Sequence, residues 1–326
     1  MKKFSKSAKQ KTPCPFVNFL ACVFLSISLC SLSAGSMASS DQSAFDLLEI
    51  AEGVFVHQGK HVSFDSPGQD DIANIGFIVG DDCVAVIDSG GSLDIARQLL
   101  EAIKSTSSKP VCYVINTHIH FDHVLGNIIF KKDGVKFVGH GNLAGEVAAN
   151  RAFFLNEYAA NLGNFASESS IIAPDIGVDD TLELDLGNRL LQLKAHPAAH
   201  SHSDLSIFDS KTGTLWLSDL LFVQRIPSLD GSLKGWLATM ENLVAAKVKR
   251  VVPGHGPHST TVEKGFAAQK HYLELLLTET RESIAQGLFM EDIVEQVGAS
   301  EKLKWLLHEQ HHRRNVTKAF SELEWE

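Results

Sequence analysis

The stretch Thr117-His118-Ile119-His120-Phe121-Asp122-His123, with Gly126 just beyond it, sets four metal-ligating side chains within six residues. It follows directly on Val111-Cys112-Tyr113-Val114-Ile115, an apolar and largely β-branched run that reads as a buried strand, so the motif sits at a strand end. Along an extended backbone, alternate side chains share a side, and His118 and His120 can then reach one ion together. A turn or helix start at Asp122-His123 aims the next two ligands elsewhere, toward a second ion. Gly126 suits a crowded place where backbone or ligand comes close. Imidazole with carboxylate is the donor set of zinc, and carboxylates would also accept iron or manganese.

The elements that must carry this motif can be read around it. Residues 49–59 and 72–80 read as antiparallel strands, joined by a loop containing Pro67-Gly68. Residues 83–91 form a buried strand running into a glycine-rich turn, followed by a helix over 93–103 that is apolar at Ile95, Leu99, Leu100 and Ile103. With the strand at Val111 this makes a βαβ unit, for which parallel pairing and a right-handed crossover are expected. Asp88 ends its strand beside the motif, where a helix N-cap is one reading. Residues 134–138 read as a strand and 143–161 as helix; Arg151, Phe153, Phe154 and Tyr158 on that helix suit either core or a pocket wall.

Residues 181–186 and 189–195 alternate as a hairpin about Asp185-Leu186-Gly187-Asn188. Strands follow at 204–208 and 214–217, the second ending at Asp219; then come a helix over 233–246 and a strand at 250–252. The C-terminal third is helical by periodicity over 262–286 and on through 307. His308, His311 and His312 precede Arg313-Arg314 and read as a capped helix end rather than a third metal cluster. His57 and His61 fall outside any ligand pattern and read as structural. Asn315-Val316-Thr317 fits a glycosylation sequon.

Residues 1–38 differ from all that follows. Five lysines and no acidic residue precede the apolar run 16–32 and the small-residue site Ser36-Met37-Ala38, which reads as a secretory leader cleaved after Ala38, with an uncleaved anchor as the alternative. Its removal takes Cys14, Cys22 and Cys30 and leaves 24 basic against 39 acidic residues, a net charge of −15 over residues 39–326. That balance argues against a nucleic-acid or anionic-membrane partner. The remaining chain is long enough for one large core in a single domain. Cys83 and Cys112 each begin a strand of the βαβ unit, where parallel pairing would bring them level. A disulfide is expected in an oxidising compartment, two buried thiols being the alternative.

His118-x-His120-x-Asp122-His123 resembles the signature of the metallo-β-lactamase superfamily. In chain order, Pro197-Ala198-Ala199-His200-Ser201 resembles the segment supplying the third histidine of the first metal. Leu217-Ser218-Asp219 resembles the bridging aspartate, and Val252-Pro253-Gly254-His255-Gly256 the last histidine segment. A narrower likeness lies in Asp71-Ile72-Ala73-Asn74-Ile75-Gly76-Phe77-Ile78-Val79-Gly80, in Arg225-Ile226-Pro227-Ser228-Leu229-Asp230-Gly231-Ser232, and in Arg314-Asn315-Val316-Thr317 with Leu323-Glu324-Trp325-Glu326. These resemble the quinoprotein relay system zinc metallohydrolases, relatives of sulfur-oxidation-cluster hydrolases named for an association with periplasmic quinoprotein dehydrogenases and c-type cytochromes.

The resemblance implies an α/β fold, a four-layer αββα sandwich with the metals at the edge of the two sheets. It implies two Zn2+, one held by His118, His120 and His200, the other by Asp122, His123 and His255, with Asp219 bridging. Asp88 becomes an acceptor for a ligand histidine, His202 a residue that supports a ligand or faces substrate, His196 structural, and Phe64 part of a hairpin over the metals. The implied function is that of a periplasmic hydrolase in which a metal-bridging hydroxide, oriented by catalytic Asp122, cleaves an ester, thioester, lactone or similar bond of a small molecule. A β-lactamase is the alternative, against which Asp219 counts, because one β-lactamase branch carries cysteine there and another lacks the bridge. The third reading is a non-catalytic metal-binding accessory protein.

Overall fold

In the computed structural model, residues 45–243, 248–258 and 261–326 are described. The expected leader over 1–38 with its three cysteines, and the end of the helix expected over 233–246, lie outside the described residues. Two sheets organise the rest. The first has seven strands in chain order: β1 (Leu47–Ala51), β2 (Val54–His57), β3 (Ile75–Val79), β4 (Val84–Ile87), β5 (Val111–Ile115), β6 (Lys136–His140) and β7 (Ile176–Val178). It is antiparallel from β1 to β4 and parallel from β4 to β7. The second has the order β12 (Arg250–His255), β11 (Thr214–Phe222), β10 (Leu205–Asp209), β9 (Leu190–Ala195) and β8 (Thr181–Asp185), with only β11 and β12 parallel.

The helices are α1 (Leu93–Thr106), α2 (Phe121–Val124), α3 (Asn127–Phe130), α4 (Leu143–Glu157), α5 (Ala159–Leu162), α6 (Leu233–Asn242), α7 (Val262–Ala285), α8 (Met290–Ile293) and α9 (His308–Leu323). None of the described helices is long and apolar enough to cross a membrane.

Strand periodicity explains the layers. In β4 all four residues are buried, Ala85 and Ile87 facing the second sheet and Val84 and Val86 facing α1. Helix α1 starts at Ser92, whose hydroxyl accepts from the Ile95 backbone N–H, and packs Leu99 and Ile103 onto that outer face. On the second sheet, Leu191, Leu193 and Trp216 fill the space between sheets, while Leu215 and Leu217 pack outward under α6, α7 and α9. The result is the expected αββα sandwich, one mixed α/β domain.

The parallel pairing expected of the βαβ unit is present, with Val86 opposite Val114 and Ile87 opposite Ile115. Cys83 and Cys112 are joined in a disulfide with Cα atoms 5.8 Å apart.

Four readings need correction. The strand read over 49–59 is two strands, β1 and β2, turned at Gly53, whose φ of +66° suits glycine and whose N–H is met by the Glu49 carboxylate. Strand β11 does not end at Asp219 but runs through it to Phe222, because Leu220, Leu221 and Phe222 are buried in the outer core. Helix does not continue from 286 to 307; Gly287 and Gly298, at φ +74° and +69°, break it around the short α8. Lastly, His308, His311 and His312 begin α9 rather than end a helix. His312 there bonds Tyr272 Oη and the Val297 carbonyl, and Asn315 is buried, bonding Leu229 and Pro227, so the sequon is closed to modification.

Candidate metal centre

The motif leaves β5, bends at His118 and Ile119, and enters α2 at Phe121. This bend and helix start divide its ligands. The donor atoms of His118, His120, His200 and Asp219 lie within 4.8 Å of one another, and so do those of Asp122, His123 and His255. Asp219 connects the two groups. Its Oδ2 is 3.4 Å from His200 Nε2 and 3.2 Å from His255 Nε2, while its Oδ1 is 3.2 Å from His123 Nε2. Asp122 Oδ2 stands 3.5 Å from both His123 Nε2 and His255 Nε2. Gly254 makes this possible, since a Cβ there would collide with the Asp219 carboxylate.

Each histidine is fixed by the nitrogen that faces away from the centre. His123 Nδ1 donates to Asp88 Oδ2 at 2.8 Å, His200 Nδ1 to the Ser228 carbonyl at 2.6 Å, and His255 Nδ1 to the Ile72 carbonyl at 2.7 Å. His120 Nε2 pairs with Asp230 Oδ2 at 2.9 Å, and His118 Nδ1 lies 3.0 Å from Thr117 Oγ1, whose own proton goes to Asp88. These bonds put the proton on the outer nitrogen and leave the inner lone pair bare. Inner nitrogens then face one another without a proton between them: His120 Nδ1 is 3.0 Å from His118 Nε2 and 2.9 Å from His200 Nε2. The buried His123 Nε2 and Asp219 Oδ1 have no hydrogen-bond partner. Lone pairs packed this way repel unless a cation lies among them, so the residues fit a pair of metal ions.

The electrostatics divide the imidazoles: burial opposes charge on His120, but Asp230, Asp122 and Asp219 raise it above its ordinary value. Burial holds His118 well below its ordinary pKa and pushes His200 down to about 4, which keeps both neutral as ligands must be. Burial opposes ionisation of Asp219, but His255, His123, His118 and His200 hold its carboxyl well below the usual range. Burial also opposes charge on His123, yet Asp122 and Asp219 raise it well above its ordinary value. The field that draws a proton onto His123 would draw a metal cation.

Asp88 is no helix cap, a role taken by Ser92; it holds His123 and also accepts from the Thr117 backbone N–H at 2.8 Å. Phe64, Phe153, Phe154 and Tyr158 line the cleft over the centre, about 700 Å³ in volume, but Arg151 does not. His202, expected near substrate, is exposed and outside that cleft, while His196 is buried and bonded to Ser206 Oγ at 2.7 Å. Residue types alone gave no role to Asp230, Thr117 or the Ser228 and Ile72 carbonyls. The runs Arg225–Ser232 and Arg314–Thr317 meet here, Arg314 Nη2 pairing with Asp230 Oδ1 at 2.5 Å and Asn315 tying Pro227 and Leu229.

Comparison with known proteins is consistent with this arrangement. A family model for the metallo-beta-lactamase superfamily matches residues 68–255, which contain all seven of these side chains. A linear primary-alkylsulfatase from Pseudomonas sp. (strain ATCC 19151) is 24% identical over 259 residues, covering 65% of this chain. The chain spans 47% of that relative's length. Among solved structures, a metallo-beta-lactamase from Pontibacter korlensis superposes with a TM-score of 0.56 at 20% identity, over 69% of this chain and 98% of its own. A stereoselective inverting sec-alkylsulfatase from Pseudomonas sp. gives a TM-score of 0.61 at 15% identity, over 84% of this chain and 49% of its own. By fold, ligand order and family match, the chain belongs to the metallo-beta-lactamase superfamily.

Proposed function

We propose that the protein is an exported hydrolase with two zinc ions, cleaving an ester, thioester, lactone or sulfate ester of a small molecule. The observation that carries this reading is the convergence of His118, His120, Asp122, His123, His200, Asp219 and His255, with the outer nitrogen of every histidine already engaged. His118, His120 and His200 are assigned to one ion, Asp122, His123 and His255 to the other, and Asp219 to both. Bound there, such ions supply hydroxide near neutral pH and polarise the bond under attack. Asp122 Oδ2, between two imidazoles and open to the cleft, orients the attacking water and takes up its proton. Hydrolysis adds the hydroxyl to the electrophilic centre and returns the proton to the leaving group.

Sulfate esters enter the range through the alkylsulfatase relatives. An aspartate rather than cysteine at 219 favours this range over β-lactams. Export to the periplasm is supported by the leader-like residues 1–38 and by the Cys83–Cys112 disulfide, which suits an oxidising compartment. Work alongside a quinoprotein or cytochrome c system is supported by the likeness of residues 71–80, 225–232, 314–317 and 323–326 to that subfamily.

The test is a panel of esters, thioesters, lactones, sulfate esters and β-lactams, with zinc-loaded and chelated protein and elemental analysis of each. About two ions per chain and zinc-dependent turnover of a member other than a β-lactam are expected. Less than half an ion per chain after growth in zinc would remove the two-metal reading.

A further inference from the structure

Two of the three histidines assigned to the first ion take their outer hydrogen bonds from one loop, residues 225–231 between β11 and α6. His200 Nδ1 donates to the Ser228 carbonyl at 2.6 Å, and His120 Nε2 pairs with Asp230 Oδ2 at 2.9 Å. Two consecutive residues of α9 hold this loop from behind. Asn315, 1% exposed, accepts from the Leu229 N–H at 2.9 Å and donates through Nδ2 to the Pro227 carbonyl at 2.7 Å. The Leu229 N–H and the Ser228 carbonyl belong to one planar peptide group, in which they point opposite ways, so anchoring the N–H on Asn315 aims the carbonyl at His200. The other Nδ2 hydrogen goes to Tyr272 Oη at 2.9 Å, which fixes the amide itself. Arg314 acts likewise on Asp230: its Nη2 takes Oδ1 at 2.5 Å and leaves Oδ2 to His120. The histidines of the second ion are held elsewhere, His123 by Asp88 at the end of β4 and His255 by the Ile72 carbonyl.

We propose that Asn315 and Arg314 are positioning residues for the first metal ion, setting His200 and His120 through the 225–231 loop without touching either. Packing alone does not supply this. The buried side chains of Ile226 and Leu229 anchor the loop, but they leave the plane of the peptide between Ser228 and Leu229 free to turn, and a hydrogen bond to its N–H removes that freedom. An imidazole whose outer N–H loses its acceptor can rotate or change tautomer, and its hold on a metal weakens. The inference rests on the two-metal reading above and adds an asymmetry that the reading does not contain: the C-terminal helix governs one ion and not the other.

Competitive zinc titration of the protein stripped of metal tests it without reference to turnover. In N315A and in R314Q one of the two binding steps should weaken at least about tenfold while the other is unchanged, and R314K, which keeps the charge beside Asp230, should restore it. The step is identified by removing one ligand set at a time. Combined with H255A, which leaves the first set whole, N315A should show the same loss; combined with H118A, which leaves the second set whole, it should show none. A merely structural role would weaken both steps or neither, and either result overturns the inference. Arg314 is exposed, so R314Q decides the matter should N315A not fold. Less than half an ion bound by the wild type would remove the two-metal reading and this inference together, whereas two ions bound with unchanged steps in both variants would remove this inference alone.

Discussion

Asp88 accepts a hydrogen bond from His123 Nδ1 at 2.8 Å while standing at φ +57°, a backbone conformation that few residues other than glycine and asparagine adopt. It closes β4 and, through Thr117, ties that strand to the start of the metal motif. Asn tolerates the same conformation, so Asp88→Asn isolates the charge. The expected result is a fold of unchanged circular dichroism with affinity for the second ion reduced about 10–100-fold. Competitive zinc titration measures it, and wild-type affinity would show that Asp88 does not set the imidazole.

Asp219 stands between the two groups of nitrogens, with His200 Nε2 and His255 Nε2 both within 3.4 Å of its Oδ2. Removing a shared carboxylate takes away what offsets the mutual repulsion of two ions. Asp219→Ala is expected to lose the second metal and at least about 100-fold in turnover, roughly 3 kcal/mol of transition-state stabilisation. Full metal content with full activity would disprove the bridging role. Penicillin or carbapenem hydrolysis near 10⁶ M⁻¹s⁻¹ by the wild type, about the middle of the enzyme range, would replace the ester reading by the β-lactamase one.

His196 gives a pH prediction away from the metals. Burial first, then Lys194 and His140, push its pKa from 6.5 to about 4. Unfolded, it binds a proton below its ordinary pKa; folded, it resists until far lower, so the unfolded state holds more protons in between. Its contribution is therefore fully present above pH 6.5 and is lost as pH falls toward about 4, at most roughly 3 kcal/mol. Urea unfolding between pH 7 and 4 should show a shallower loss in His196→Gln, and identical slopes would contradict the assignment.

The Cys83–Cys112 bond closes a separation of 29 residues across β4 and β5. Constraint of the unfolded chain predicts that Cys83→Ser/Cys112→Ser costs roughly 2–4 kcal/mol in denaturant. Mass spectrometry of the unreduced exported protein should find no alkylatable thiol at either position; two would refute the bridge.

The first group of ligands was legible because strand and helix periodicity are local. His118, His120, Asp122 and His123 lie in one short run, and a strand end followed by a helix start is enough to divide them between the two clusters of donor atoms. The order of His200, Asp219 and His255 was legible only by resemblance, because nothing local distinguishes His200 from its neighbours His196 and His202. Tertiary structure made that choice: β9 and β10 bury His196 against Ser206 and leave His202 exposed, and His200 alone reaches His120. It also decided what no periodicity encodes, namely the partners that hold each imidazole. Asp230 meets His120 across more than a hundred residues of chain, and Ile72 offers its carbonyl to His255 from the loop ahead of β3. Whether a polar atom is satisfied depends on what packs against it, and for Arg225 that packing leaves a buried charge with no acceptor, which its sequence neighbours could not reveal.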